Sequence, residues 1–401
     1  MDDNRSQDHQ PKRVVVCGGG IIGVCTAYFL AKKGAAVTLI ERSSIAGAAS
    51  GKAGAFLALH MCDDGPLSSL ARASFGLHCS LAKELDGPRS YGYRPLTTLT
   101  ISMGESEVPS KSPILPPWVD GQVKPGEIIG TTENTAQIHL GLFTQSVLAK
   151  AVTDYGVEVL TAVVENVQVE EESVVVKVGG GGVIGGDAVV LALGPWTSKV
   201  LGLSSKFKVH GKKVHSVVLE PKDGDAITPH ALFATYYPAQ NMGPVDPDFF
   251  PRPTRDVYIC GPSVEVEIPD RPELVFPDPE SIEMLKRVAG IVSSYLTNDN
   301  VTIKSEEAGL MPCTDDELPI MGEVPGMKRC YVASGHGYWG ILFGPASGVA
   351  MAELVLDGHA SVVDLDCFGP TRFVIKVTIS EYVVIARISL RFMHVRFIVQ
   401  F

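Results

Sequence analysis

Six residues near the start of the chain, Gly18-Gly19-Gly20-Ile21-Ile22-Gly23, carry the spacing G-x-G-x-x-G. Glycine at 18 permits a tight turn, Gly20 lets backbone approach a pyrophosphate, and Gly23 lets a helix pack close on a strand. Further on stands Glu41, whose carboxylate can accept hydrogen bonds from both hydroxyls of an adenosine ribose and would repel a 2′-phosphate. The chemistry these residues suit is the binding of a dinucleotide without a 2′-phosphate. The spacing alone does not separate NAD from FAD.

Elements that position such residues must come in the order strand, turn, helix, strand. Residues 13–17 are apolar and β-branched and end abruptly in glycine, as a strand buried on both faces of a parallel sheet does. Residues 24–33 have apolar side chains at helical spacing until Gly34 stops them, and 36–40 reads as a second strand ending at Glu41. Three later segments fit the same frame. Residues 48–55, AASGKAGA, form a loop without bulk that can lie against a flat ring or a phosphate. Residues 187–196 are a buried strand ending in Gly194, Pro195 and Trp196. Residues 333–345 are a glycine-rich loop leading into a small-residue helix at 346–356, a helix whose N-terminus favours an acceptor.

Composition narrows the possibilities. A net charge of −11 and 45% hydrophobic residues in 401 suit two cored domains and argue against nucleic acid as a partner. Eight cysteines, with no CxxC pair and no His/Cys cluster at zinc spacing, read as reduced thiols and leave no metal site to expect. The polar N-terminus resembles neither a secretory signal nor a transit peptide, the C-terminus carries no SKL, and the apolar stretches are interrupted, so the expectation is a cytoplasmic protein without a transmembrane segment.

Four blocks together resemble the D-amino-acid-oxidase type of FAD-dependent oxidoreductase, in its glycine oxidase and sarcosine oxidase branch. They are VVVCGGGIIGVCTAYFLAKKGAAVTLIER with ASGKAGA, VVLALGPW, AGLMPCTDDELPIMG, and ASGHGYWGILFGPASG. The resemblance spans about residues 12–373. It implies an α/β fold: a Rossmann-like FAD-binding domain built on a doubly wound parallel sheet, interleaved with an antiparallel-sheet α+β substrate domain. The first would comprise 12–90, 140–205 and 300–365, the second 91–139 and 206–299. Short alternating strands at 214–219 and 257–260, broken by Pro and Gly, agree with that division. The glycines of 179–186 read as a loose hairpin turn. Residues 374–401 change character, lie outside the resemblance, and read as an atypical C-terminal extension or, alternatively, a basic membrane contact.

Carried onto this sequence, the flavin contacts would fall on Gly18, Gly20, Ile21, Ile22, Gly23, Glu41, Arg42, Ala48, Ala49, Ser50, Ala53, Gly54 and Ala55. Val164 would add a backbone contact on the adenine side, Gly194 and Trp196 a turn beside it, and Gly335, His336, Gly337, Tyr338, Trp339, Gly340, Ile341 and Leu342 the loop at the ring. Some members attach FAD to a cysteine at the position held here by Gly309, so FAD is expected to be non-covalent.

The family's chemistry is hydride transfer from the carbon bearing an amine to flavin N5, with O2 regenerating FAD and yielding H2O2. Glycine oxidases grip a substrate carboxylate with arginines, and this sequence departs from that pattern. Met311 and Tyr338 occupy the two positions, and Phe249-Phe250 replaces an expected tyrosine. Arg252 and Arg255 read as solvated turn residues. His336 and Tyr338 are the candidate catalytic residues, and His336 either tunes the flavin or binds O2-derived charge, or merely holds its loop. Tyr338 and Trp339 either line an aromatic substrate pocket or pack in the core. The leading expectation is oxidation of an amine or N-substituted amino acid; the alternative is a non-catalytic FAD-binding trafficking or assembly factor.

Overall fold

A computed structural model describes residues 10–104, 112–200, 202–203, 206–238 and 243–373. The extension at 374–401 lies outside the described residues, as do parts of the leader.

The first strand, β1 (Arg13–Cys17), sits inside a six-stranded sheet whose order is Ile320–Glu323, Cys330–Ser334, Ala188–Leu191, β1, β2 (Ala36–Glu41) and Glu158–Thr161. All neighbours run parallel except the edge pair Ile320–Glu323 and Cys330–Ser334. Because β1 is central, both its faces are covered and all residues from Val14 to Cys17 are buried. Val14 and Val16 face helices on one side, while Val15 and Cys17 face a three-stranded antiparallel sheet on the other. That small sheet contains Val174–Val178 and Gly182–Gly186, so the loose turn expected over 179–186 contracts to 179–181, and the last glycines extend as strand.

Helix α1 (Ile21–Lys32) begins three residues earlier than its apolar periodicity suggests, directly at the glycine turn. The helix Gly340–Asp357 likewise begins six residues before the expected 346, and takes Pro345 into its interior. By length and composition the segment Gly337–Asp357 passes for a membrane span, yet most of it is packed inside the protein. It crosses α1 where two glycines remove side-chain bulk. A Cβ on Gly348 would stand 2.6 Å from the Cys25 carbonyl carbon, and one on Gly344 would stand 2.7 Å from Ile21 Cγ1.

The second large sheet has seven strands in the order Val301–Cys313, His210–Pro221, Val257–Val266, Asp248–Pro251, His230–Tyr237, Thr97–Gly104 and Val123–Gly130. It is antiparallel except for one pair: His230–Tyr237 runs parallel to Thr97–Gly104. Strand Val301–Cys313 belongs to this sheet through its long pairing with His210–Pro221, so sheet membership does not change at residue 300. One face is sealed by the helix Pro279–Val292 and the buried Trp118. The other face carries Phe250, Tyr258, Phe233 and Cys260 toward the first domain.

A valine at Gly348 must displace backbone of α1, and overpacking of that kind costs about 1–3 kcal/mol. Gly348→Val is therefore expected to lower the thermal unfolding midpoint by several degrees, whereas Gly185→Ala, which meets nothing within 4 Å, should leave it unchanged.

Candidate active site

The turn between β1 and α1 is closed by contacts that only glycine allows. Gly18 has φ +114°, and a Cβ on Gly23 would stand 1.9 Å from the Gly18 carbonyl oxygen. Gly20 differs: its nearest neighbour is the Ser50 hydroxyl, 3.1 Å from a built Cβ, so its open side faces the cavity. The first turn of α1 holds no acidic residue. Its leading amide, Ile21 N, donates to Ser50 Oγ at 2.9 Å, which brings a hydroxyl to a helix end that already favours anions.

Glu41 closes β2 and is held in place by two amides. Gly19 N donates to Oε2 at 2.7 Å and Ser43 N donates to Oε1 at 3.0 Å. A carboxylate oriented this way, beside a glycine turn and a helix N-terminus, fits the ribose and pyrophosphate of a dinucleotide. Val164 opens the strand Val164–Val169 at the same end of the cavity. Trp196 donates Nε1–H to the Pro269 carbonyl at 2.7 Å, which fixes its ring on the cavity wall.

These residues line one cavity of about 810 Å³ that runs from the glycine turn to the face of the seven-stranded sheet. Gly18, Gly20, Ile21, Ile22, Glu41, Arg42, Ala48, Ala49, Ser50, Ala53, Gly54, Ala55, Val164, Gly194 and Trp196 all lie on its wall, as do Met311, His336, Gly337, Tyr338, Trp339, Gly340 and Ile341. Gly23 and Leu342 do not line it; they are packed behind it, and Gly335, at φ +75°, makes the turn into the loop. Gly309 is on the wall and carries no thiol, while Cys313 is buried. All eight cysteines are free.

The loop 335–342 is held by residues the sequence did not single out. Pro345 has no N–H, so the Ile341 carbonyl loses its helical donor. His78, from helix α2 (Ser68–Glu84), supplies Nε2–H to that carbonyl at 3.0 Å, and Ala346 N donates to Ser74 Oγ at 3.0 Å. The carbonyl can only accept, so the His78 proton is on Nε2. Burial pushes His78 down to about 4 and it is neutral at physiological pH.

His336 is only 4% exposed, pairs through Nε2 with Ser347 Oγ at 3.0 Å, and is pushed by burial to about 3. A histidine this reluctant to protonate does not bind O2-derived negative charge as a cation. It stands on the wall as a neutral group, with Nδ1 buried and unpartnered among the described residues. Tyr338, by contrast, is 58% exposed and hydrogen-bonds Ser263 through its hydroxyl, so core packing does not describe it. Trp339 does pack against both core clusters beside the cavity.

At the opposite wall Phe250 presses on Gly54, whose Cβ would meet the ring at 2.3 Å, while Phe249 points to the far side of the sheet. Arg252 is not a solvated turn residue. It is half-buried, its guanidinium lies 5.0 Å from the centre of the Tyr258 ring, and it donates to the Ala53 carbonyl at 3.3 Å. Arg255 is exposed and paired with Asp225, as a surface arginine is. Asp246 and Asp248 also line the cavity. Alternation along Asp248-Phe249-Phe250 was the available signal: once Phe250 faces inward, so does Asp248.

The sequence profile of the DAO family, FAD dependent oxidoreductase, matches residues 13–354, and the chain belongs to that family. It is an FAD-dependent oxidoreductase of the amino-acid or amine oxidase type. A putative oxidoreductase of Schizosaccharomyces pombe is 27% identical over 396 residues, covering 90% of this chain and 98% of the relative. Glycine oxidase of Bacillus licheniformis is 26% identical over 380 residues, covering 89% and 96%. The crystal structure of glycine oxidase from Geobacillus kaustophilus superposes with a TM-score of 0.74 at 21% identity, covering 90% of this chain and 99% of that one.

Two outcomes follow from this geometry. Gly20→Val projects a branched side chain into the cavity beside Ser50, so the purified variant should emerge from gel filtration without flavin; retention at the wild-type level would contradict the cradle. His78 has a depressed folded value, so its contribution is complete above about 6.5 and is lost as pH falls toward 4, when the unfolded chain binds a proton that the folded one refuses. That loss amounts to about 3 kcal/mol. His78→Gln should therefore be less stable than the parent at pH 7.5, with the gap in urea midpoint narrowing as pH falls to 4.5; a constant gap would refute the assignment.

Proposed function

We propose that this protein oxidises a C–N bond of an amine or N-substituted amino acid, with FAD as the immediate electron acceptor and O2 as the final one. The observation that carries this reading is the continuity of one cavity, with a dinucleotide cradle at one end and an aromatic wall at the other. Bound there, FAD supplies a hydride acceptor at N5 for the carbon bearing nitrogen, and its reoxidation by O2 yields H2O2.

The chain's own residues bind, orient and exclude water. Amides at the start of α1, with the Ser50 hydroxyl, would hold the pyrophosphate; Glu41 would hold the ribose, with Arg42, Ala48, Ala49 and the Val164 backbone around the adenosine. Ala53, Gly54, Ala55 and the loop 335–342 would lie against the ring. The six-stranded sheet thus serves as the cofactor-binding unit and the seven-stranded sheet as the substrate-side wall. Gly309, having no thiol, supports non-covalent FAD. His336, neutral and tied to Ser347, would fix the loop at the ring rather than carry charge. Tyr338 and Ser263 stand at the mouth and would order the substrate's outer end.

Met311 and Tyr338, at the positions where the resemblance implies arginines, support a substrate that need not offer a free α-carboxylate. Mixing the oxidised holoprotein anaerobically with a panel of alkylamines, arylalkylamines and N-alkyl amino acids should bleach its visible flavin band with at least one of them. Admitting air should then restore the band with release of one H2O2 per flavin. A band that no amine bleaches would sink the proposal.

A further inference from the structure

The seven-stranded sheet aligns one cross-strand row on its cavity face: Ser216, Cys260, Asp248 and Phe233 are register partners on four adjacent strands. Asp248 is the charged member. It lies on Asp248–Pro251, in the interior of the sheet, and it is only partly accessible, on the cavity side. Among the described residues no cation and no hydrogen-bond donor reaches its carboxylate. A carboxylate held this way in protein surroundings is costly unless a ligand compensates it.

The cations on the cavity wall are all engaged elsewhere. Lys199 pairs with Asp270 at 2.7 Å, Arg42 donates to the Asp270 carbonyl at 2.7 Å, and Lys52 donates to the Ala308 carbonyl at 3.2 Å. Ala308 belongs to the edge strand Val301–Cys313, three strand spacings from Asp248–Pro251, or about 14 Å. Lys52 therefore does not neutralise Asp248. Asp246 lines the same region, accepts from Thr235 Oγ1 at 3.0 Å, and adds a second negative charge. Burial, reinforced by Asp246, pushes the Asp248 carboxyl up to about 7, and a cation bound beside it would favour its ionised form.

We propose that Asp248 is a specificity determinant that binds the distal ammonium group of a diamine substrate whose other nitrogen is the one oxidised. This rests on the amine-oxidising reading above. The spacing argues for two nitrogens rather than one. Asp248 is two residues along the strand from Phe250, the side chain that presses on Gly54, a displacement of about 7 Å. An ammonium held at Asp248 thus leaves the reacting carbon several bonds away, beside Gly54, where the ring is expected. The reacting nitrogen must also arrive unprotonated: its lone pair forms the C=N bond as the neighbouring C–H leaves as hydride to FAD, and water then cleaves that bond to aldehyde and ammonium. An amine paired as a cation with Asp248 has no lone pair to give, so anchoring and reaction need different nitrogens. With Met311 and Tyr338 where arginines would grip a carboxylate, the substrate end is complementary to positive rather than negative charge.

The test separates binding from chemistry. Isothermal titration of the dithionite-reduced holoprotein, which cannot oxidise an amine, would compare putrescine, pentylamine and 4-aminobutanoate. The expected order is putrescine tightest, with Asp248→Asn losing roughly 10- to 100-fold for putrescine and little for pentylamine. Asp248→Glu keeps the charge and should keep the preference. Equal putrescine binding by the parent and Asp248→Asn, or a preference for 4-aminobutanoate, would overturn the proposal. Anaerobic bleaching by amines that is indifferent to Asp248→Asn would leave the oxidase reading standing and remove this one. Asp248-dependent binding without bleaching by any amine would remove both readings, because the diamine would then be a ligand that is not oxidised.

Discussion

Everything at the cofactor end depends on how closely α1 can approach its neighbours. Contact with the Gly18 carbonyl at Gly23 brings the helix start against β1, and contact with Gly348 brings its flank against the C-terminal helix. Those approaches turn the start of α1 to the cavity, where Ile21 N meets the Ser50 hydroxyl and Gly19 N meets Glu41. Bulk at either crossing would tilt the helix, and an anion site made of backbone amides has no side chain with which to correct the aim.

The ring end obeys a different constraint. Its loop runs into a helix that carries a proline near its start, and the hydrogen bond that Pro345 deletes is replaced from α2 by His78, with Ser74 bonded to the next amide. The loop's position is thus set by a helix remote in sequence. Burial keeps both His78 and His336 neutral, so this part of the wall gives orientation and dipoles rather than charge. On the side of the seven-stranded sheet the wall also carries the carboxyl groups of Asp246 and Asp248.

Much of this was legible in the residues, and the reasons differ by region. The cradle could be read because its chemistry is local: strand, glycine turn, helix and acidic residue follow one another along the chain. The family pattern carried the 333–345 loop and the seven-stranded sheet's antiparallel character. The helix start at Gly340 was missed because glycine and proline are poor helix formers, and only the packing on α1 and the bonds from α2 outweigh that propensity. Arg252 was misread because its ring partner Tyr258 comes from the next strand. Asp248 escaped notice because an isolated aspartate acquires meaning only when four strands place it on a cavity wall where, among the described residues, no cation pairs with it.

The account stands on FAD occupying the cavity between the glycine turn and the seven-stranded sheet without a covalent link. Acid denaturation of the purified protein, followed by separation and chromatography of the released chromophore, measures this directly. The account predicts one FAD per chain in the supernatant and a colourless pellet. Protein that is colourless before denaturation and stays so after incubation with FAD, or a flavin that remains with the pellet, would contradict it.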